Sequence, residues 1–190
     1  MSEHSNTPET PAIQPRHVFS SLPKYAAGKP PTPVEGLKQY KLSSNENPHG
    51  PIPEVARILA EFDATHRYPD PLSTRLRTAL AHRLGVDAHN IVTGAGSLGA
   101  LNQILKAFAG ASLDGTQDEV IYAWRSFEAY PILVGLLGAK SVQIPNLPNG
   151  AHDLNAMAQA VTDRTRVILV CTPNNPTGPA VTEAQMREFL

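Results

Sequence analysis

From residue 53 onward the apolar positions fall into two alternating rhythms. Val55, Ile58, Leu59 and Phe62 stand at i, i+3, i+4 and i+7, the stripe of an amphipathic helix. Leu72, Leu76, Leu80 and Leu84 repeat the signal, and Gly85 follows at a C-cap position. Short runs of β-branched and aromatic residues then predict strands at 90–93, 120–123, 141–144 and 167–171. Between them, helical spacing predicts helices over 97–108 and over 127–137, the second capped by Gly138. A further helix opens at Asp153 and carries Leu154, Met157 and Val161. Thr182 with Gln185 has the form of a capping box that starts a last helix. Strand and helix in alternation predict the α/β class, a parallel sheet covered by helices on both faces.

The chain ahead of residue 53 reads differently. Residues 1–15 are rich in Pro, Ser, Thr and charge; such a segment cannot bury enough apolar surface to offset its ordering entropy, and a disordered tail is expected. Over 16–53, Val18, Phe19, Leu22, Tyr25, Leu37, Tyr40 and Leu42 punctuate a Pro- and Gly-rich stretch, which reads as an extended arm lying on another surface. At the other end, the last predicted helix is one turn old at Leu190. The sequence is therefore expected to be the front part of a longer protein.

Composition narrows the partners. A 190-residue chain with 41% hydrophobic residues can build one ordinary core. Sixteen basic and seventeen acidic residues leave a formal charge of -1, so no whole-molecule field draws it to nucleic acid or anionic lipid. Small molecules and copies of itself are the expected partners. No apolar run is long enough to span a bilayer, and the first residues lack the basic-then-apolar layout of a secretory signal, which points to the cytoplasm. One cysteine, Cys171, forms no internal disulfide, and the seven histidines are scattered without ligand spacing, so no metal site is expected.

Candidate chemistry begins at Gly94, Gly96 and Gly99, which have the G-x-G-x-x-G spacing of a dinucleotide-binding turn. A nicotinamide dinucleotide site also needs a carboxylate closing the next strand, to hold the ribose. Here that strand runs into Trp124 and Arg125, while Asp114, Asp118 and Glu119 precede it. No Gly-Lys-Ser/Thr follows, so a Walker A loop is excluded as well. Two readings of the glycines stay open: a tight turn that lets helix and strand pack, or a cradle in which helix-start N–H groups meet some other phosphate. Cys171 reads as a small packing thiol, and Arg125 as an exposed loop arginine.

Further motifs carry more. TPNNPTG, residues 172–178, directly follows the strand-like VILVC, placing an Asn-rich turn where open α/β sheets bind ligands. NENP at 45–48, RYPD at 67–70 and Ser97 in the glycine loop precede it. In this order the motifs resemble fold-type I pyridoxal-phosphate (PLP) aminotransferases of the histidinol-phosphate aminotransferase branch. Within that branch, WRSFEAYP at 124–131 and TDRTR at 162–166 are most similar to the aromatic (phenylalanine) aminotransferases. The resemblance covers the chain from about Leu22 to its end. It implies a three-layer αβα large domain with a mostly parallel sheet, of which 54–190 is the first part, followed by a small domain beyond Leu190.

The resemblance also implies site residues. Pyridoxal 5'-phosphate would be held through its phosphate by the backbone N–H groups of Ser97 and Leu98, with the Ser97 hydroxyl assisting. Phe127 would stack on the pyridine ring, and Asn175 would donate to its phenolic oxygen, leaving Asn174 as a turn former. Tyr68 would reach across a two-fold axis to the cofactor phosphate of a neighbouring subunit, which implies a homodimer. Tyr25 and Asn47 would meet the substrate side chain; His49 stands where the branch commonly has an aromatic residue. The implied reaction moves an amino group between an aromatic amino acid and a 2-oxo acid, with the cofactor alternating between its pyridoxal and pyridoxamine forms. Histidinol phosphate is the alternative substrate.

In the family the Schiff-base lysine, the aspartate that pairs with the pyridinium and the arginine that clamps the substrate carboxylate all follow the NNPTG segment. Lys24, Lys29, Lys38, Lys41, Lys106 and Lys140 all precede it, so the catalytic lysine is expected beyond Leu190 and the 190-residue chain alone is expected to be inactive. Two rivals remain: a PLP decarboxylase or carbon–sulfur lyase on the same fold, and a non-catalytic fragment serving dimerisation or regulation.

Overall fold

The computed structural model describes residues 15–24, 29 and 31–190. Tyr25 and residues 1–14 of the expected tail lie outside the described residues. The chain divides into two compact units, one made of residues up to 24 with 102–190, the other of residues 25–101.

In the first unit three β-rich runs pair as one parallel sheet. β1 (Glu119–Trp124) lies between β2 (Lys140–Pro145) and β3 (Thr165–Leu169). Ile121 stands opposite Val142 and Ile168, and Tyr122 opposite Gln143 and Leu169. With a partner on each side, β1 is buried from Glu119 to Ala123, which explains its nearly unbroken apolar sequence. Alternation along a strand sends Ile121 and Ala123 to one face and Val120 and Tyr122 to the other. The first face packs on Met157 of α5 (Leu154–Gln159), together with Leu154 and with Phe189 of α6 (Glu183–Phe189). On the second, the Tyr122 ring meets that of Tyr130, centroids 5.5 Å apart, at the start of α4 (Tyr130–Leu137). The expected parallel sheet with helices on both faces is therefore present.

Element ends follow local chemistry. Asp153 caps α5 by accepting from the Ala156 N–H at 2.9 Å; the helix closes at Gln159, so Val161 falls outside it and is exposed. Thr182 and Gln185 form both bonds of the predicted capping box on α6. The helix predicted over 127–137 begins only at Tyr130, because residues 127–129 make a turn in which Tyr130 N–H donates to the Phe127 carbonyl. Gly138 caps it in the left-handed region, φ 79°, a conformation that suits glycine. Residues 17–20 form a 3-10 turn beside α4, where the Arg16 guanidinium donates to the Leu136 carbonyl and Leu22 packs over Gly135.

The second unit holds α1 (Pro53–Glu61), α2 (Thr74–Leu84) and the first turns of α3 (Gly96–Phe108). Gly85 caps α2 as predicted, φ 67°. Ahead of α2, both Asp70 oxygens are used, accepting from the N–H groups of Leu72 and Thr74. The strand predicted at 90–93 does not form. Residues 88–90 make a 3-10 turn held by Asp87, and among the described residues the sheet has three strands, none of which pairs with 91–93. An alternating pattern predicts a strand, but a ladder needs a partner for its N–H and C=O groups. No helix of the described residues is long and apolar enough to cross a membrane.

Candidate active site

In a parallel sheet the C-terminal ends of neighbouring strands lie at one edge, where ligands of open α/β sheets bind. β1 and β3 are such neighbours, so the segment after Trp124 and the Asn-rich turn after Leu169 emerge together. A buried hydrogen bond joins them: the Ser126 hydroxyl donates to Asn174 Oδ1 at 2.7 Å, and the two residues are 0% and 2% exposed. Asn174 Nδ2 donates to the Arg125 carbonyl at 3.0 Å and to Thr177 Oγ1 at 2.7 Å. Asn146, just past β2, donates to the same Arg125 carbonyl at 2.7 Å. Thr177 in turn donates to the Gly150 carbonyl at 2.6 Å. Backbone bonds close the turn, Asn174 N–H to the Pro179 carbonyl and Gly178 N–H to the Asn174 carbonyl.

This frame carries two residues singled out in the sequence. Phe127 follows Ser126 and is half-buried, its ring edge-on to Tyr130 with centroids 5.6 Å apart. Burial, reinforced by the adjoining Cys171 thiol, pushes the Tyr130 phenol up to about 12, so it stays protonated in neutral solution. Asn175 follows Asn174 and is exposed on the turn. Asn174, expected to be only a turn former, is instead the buried centre of the network. Ser126 lies inside the WRSFEAYP stretch, yet neither periodicity nor the resemblance assigns it a role.

Other neighbours support the turn. Cys171 is half-buried, and its carbonyl accepts from His152 Nε2 at 2.9 Å. That nitrogen therefore donates, leaving the buried Nδ1 without a hydrogen-bond partner among the described residues. Arg125 is exposed and pairs with Glu128, its guanidinium 5.6 Å from the Trp124 ring.

The remaining site residues lie in the second unit, apart from Tyr25, which is outside the described residues. Ser97 and Leu98 are exposed in the first turn of α3, where N–H groups have no intrahelical acceptor and the helix dipole favours an anion. Gly96, φ 67°, bends the chain into that turn. Tyr68 is wholly exposed, at 102%. Asn47 is exposed as well, and its Oδ1 accepts from the His49 N–H at 3.0 Å in a local turn.

Comparison with known proteins places this arrangement. The chain is 48% identical over 176 residues to the aromatic amino acid aminotransferase of Streptomyces coelicolor, a match covering 92% of this chain and 47% of that protein. The same figures hold for the aromatic amino acid aminotransferase of Thermobifida fusca. The chain thus spans about half the length of the curated relatives it matches. Among solved structures, histidinol-phosphate aminotransferase from Sinorhizobium meliloti in complex with pyridoxal-5'-phosphate superimposes with a TM-score of 0.64 at 26% identity. That match covers 74% of this chain and 37% of the other. The sequence model described as aminotransferase class I and II matches residues 38–190. With that match over most of its length and the sheet edge built as above, the chain belongs to the class I and II aminotransferases, PLP-dependent enzymes of fold type I.

Proposed function

We propose that the protein is an aminotransferase that moves the amino group between an aromatic amino acid and a 2-oxo acid, using pyridoxal 5'-phosphate as cofactor and working as a homodimer. The observation that carries this reading is that the loops bearing Phe127 and Asn175 follow adjacent parallel strands and are joined by the Ser126–Asn174 bond. When bound, the cofactor supplies an electron sink for amino-group transfer.

Taken unit by unit, the residues are of the kinds such a group calls for. The phosphate dianion calls for several N–H and O–H donors; the first-turn N–H groups of Ser97 and Leu98, with the Ser97 hydroxyl, are donors of that kind on an exposed helix start. A flat heteroaromatic ring calls for an apolar face, which Phe127 offers from a position braced by Tyr130. A phenolic oxygen calls for a neutral donor, and the exposed Asn175 amide would orient the ring by donating to it. Tyr68, uncovered by its own chain, is available to a second copy. Asn47, and by resemblance Tyr25, would contact the substrate side chain.

The names of the curated relatives favour an aromatic donor. The Sinorhizobium neighbour favours a second reading, histidinol phosphate. Turnover by the whole protein, with phenylalanine and histidinol phosphate as competing donors and a 2-oxo acid as acceptor, distinguishes them. We expect kcat/KM to be higher for phenylalanine; a preference for histidinol phosphate selects the second reading. Absence of saturable pyridoxal 5'-phosphate binding overturns both.

A further inference from the structure

The two residues that would touch the cofactor ring are each one position along the chain from a buried polar side chain, and those buried side chains are bonded to one another. We infer that Ser126 and Asn174 are positioning residues that set the orientation of the Phe127 ring relative to the Asn175 amide. The inference deepens the proposed function and rests on it.

Three observations carry it. First, the Ser126–Asn174 bond spans 48 positions of sequence and joins the loops after β1 and β3 directly. A shift of either loop relative to the other must break it. Second, Asn174 has a bond at its backbone N–H, backbone carbonyl, Oδ1 and Nδ2. Such a centre, almost wholly out of water, resists displacement, because losing one partner strands a buried polar atom. Third, the brace extends past the pair. The Arg125 carbonyl, one residue before Ser126, also accepts from Asn146 at the end of β2, while Thr177 ties the far side of the turn to Gly150. All three strand ends are thereby joined at the root of Phe127 and Asn175. Phe127 is seated separately on Tyr130, whose ring in turn meets that of Tyr122, so the Phe127 ring is held from behind as well as at its backbone.

A role that only stabilised the fold would not single out the ring of the cofactor, so the test reads the ring and the turn separately. The whole protein is compared with its Ser126→Ala variant and with its Asn174→Asp variant, which keeps an acceptor for Ser126 but removes the two amide donations. Amide hydrogen exchange without ligand reads residues 172–179. Titration with pyridoxal 5'-phosphate reads affinity and the induced circular dichroism of the bound chromophore, while inorganic phosphate competition reads the phosphate contacts alone.

In Ser126→Ala we expect exchange in 172–179 to be about tenfold faster with the protection of β1 and β2 retained, the loss of one buried bond. We also expect cofactor affinity to fall by about tenfold and the induced dichroism to diminish, with inorganic phosphate binding unchanged. Wild-type exchange in 172–179 together with wild-type dichroism overturns the inference. If Ser126→Ala does not fold, Asn174→Asp is read by the same criteria. A whole wild-type protein that binds no cofactor overturns the proposed function instead, and exchange alone then decides whether Ser126 and Asn174 hold the turn.

Discussion

At the scale of single residues, Glu119 shows how charge is managed at the base of the sheet. It is 2% exposed, yet its carboxylate accepts from the Thr162 hydroxyl at 2.7 Å and from Lys140 Nζ and an Arg164 nitrogen at 2.9 Å each. The Thr162 bond foremost, then Lys140 and Arg164, holds its carboxyl at about 2, below the ordinary 4.5, against the opposing effect of burial. A carboxyl lowered in the folded state adds stability that is fully present above its unfolded value and is lost as pH falls through about 2. Glu119→Gln should therefore lower the Tm at pH 7, and the deficit should shrink towards pH 2.5, where the wild type is itself becoming protonated; a deficit independent of pH would contradict the assignment. Glu119 was legible in the sequence only as an acidic residue on the wrong side of a strand for binding ribose. Asn174 was similarly opaque: it read as a turn former, and its burial depends on a bond to Ser126, 48 positions away.

At the scale of elements, caps were the most legible features, since each depends on residues a few positions apart. Thr182→Ala removes the side-chain acceptor of the α6 capping box and should cost about 1 kcal/mol in urea unfolding. Gly150 is the contrasting case. It adopts φ 82°, and a Cβ there would lie 2.9 Å from the Thr177 Cβ, against the turn that carries Asn175. Gly150→Ala should destabilise by about 1–3 kcal/mol and also weaken cofactor binding; an unfolding midpoint equal to wild type would show that the loop relaxes freely. No motif or spacing in the sequence singles out this glycine, because its neighbour Thr177 is 27 positions away. The strand predicted at 90–93 failed for the same kind of reason: pattern is local, and pairing is not.

At the scale of the whole molecule, the apolar stripe read on α1 is real, but its own unit leaves it uncovered. Ile58, Leu59 and Phe62 are exposed by 52%, 68% and 59%, and a patch of that kind marks an association surface. If it serves the proposed homodimer, Leu59→Glu with Phe62→Glu should move the protein to a smaller species in size-exclusion chromatography with far-UV circular dichroism unchanged. Elution at the wild-type position would assign the stripe to another role. The sequence by itself determined the α/β class, most of the helices, their caps and the motifs of the family, because these rest on periodicity and on contacts within a turn or two. Only the tertiary structure decided the strand order, the burial of Asn174 and the joining of Ser126 to it, because each depends on residues tens of positions apart that meet only when parallel strands align their ends.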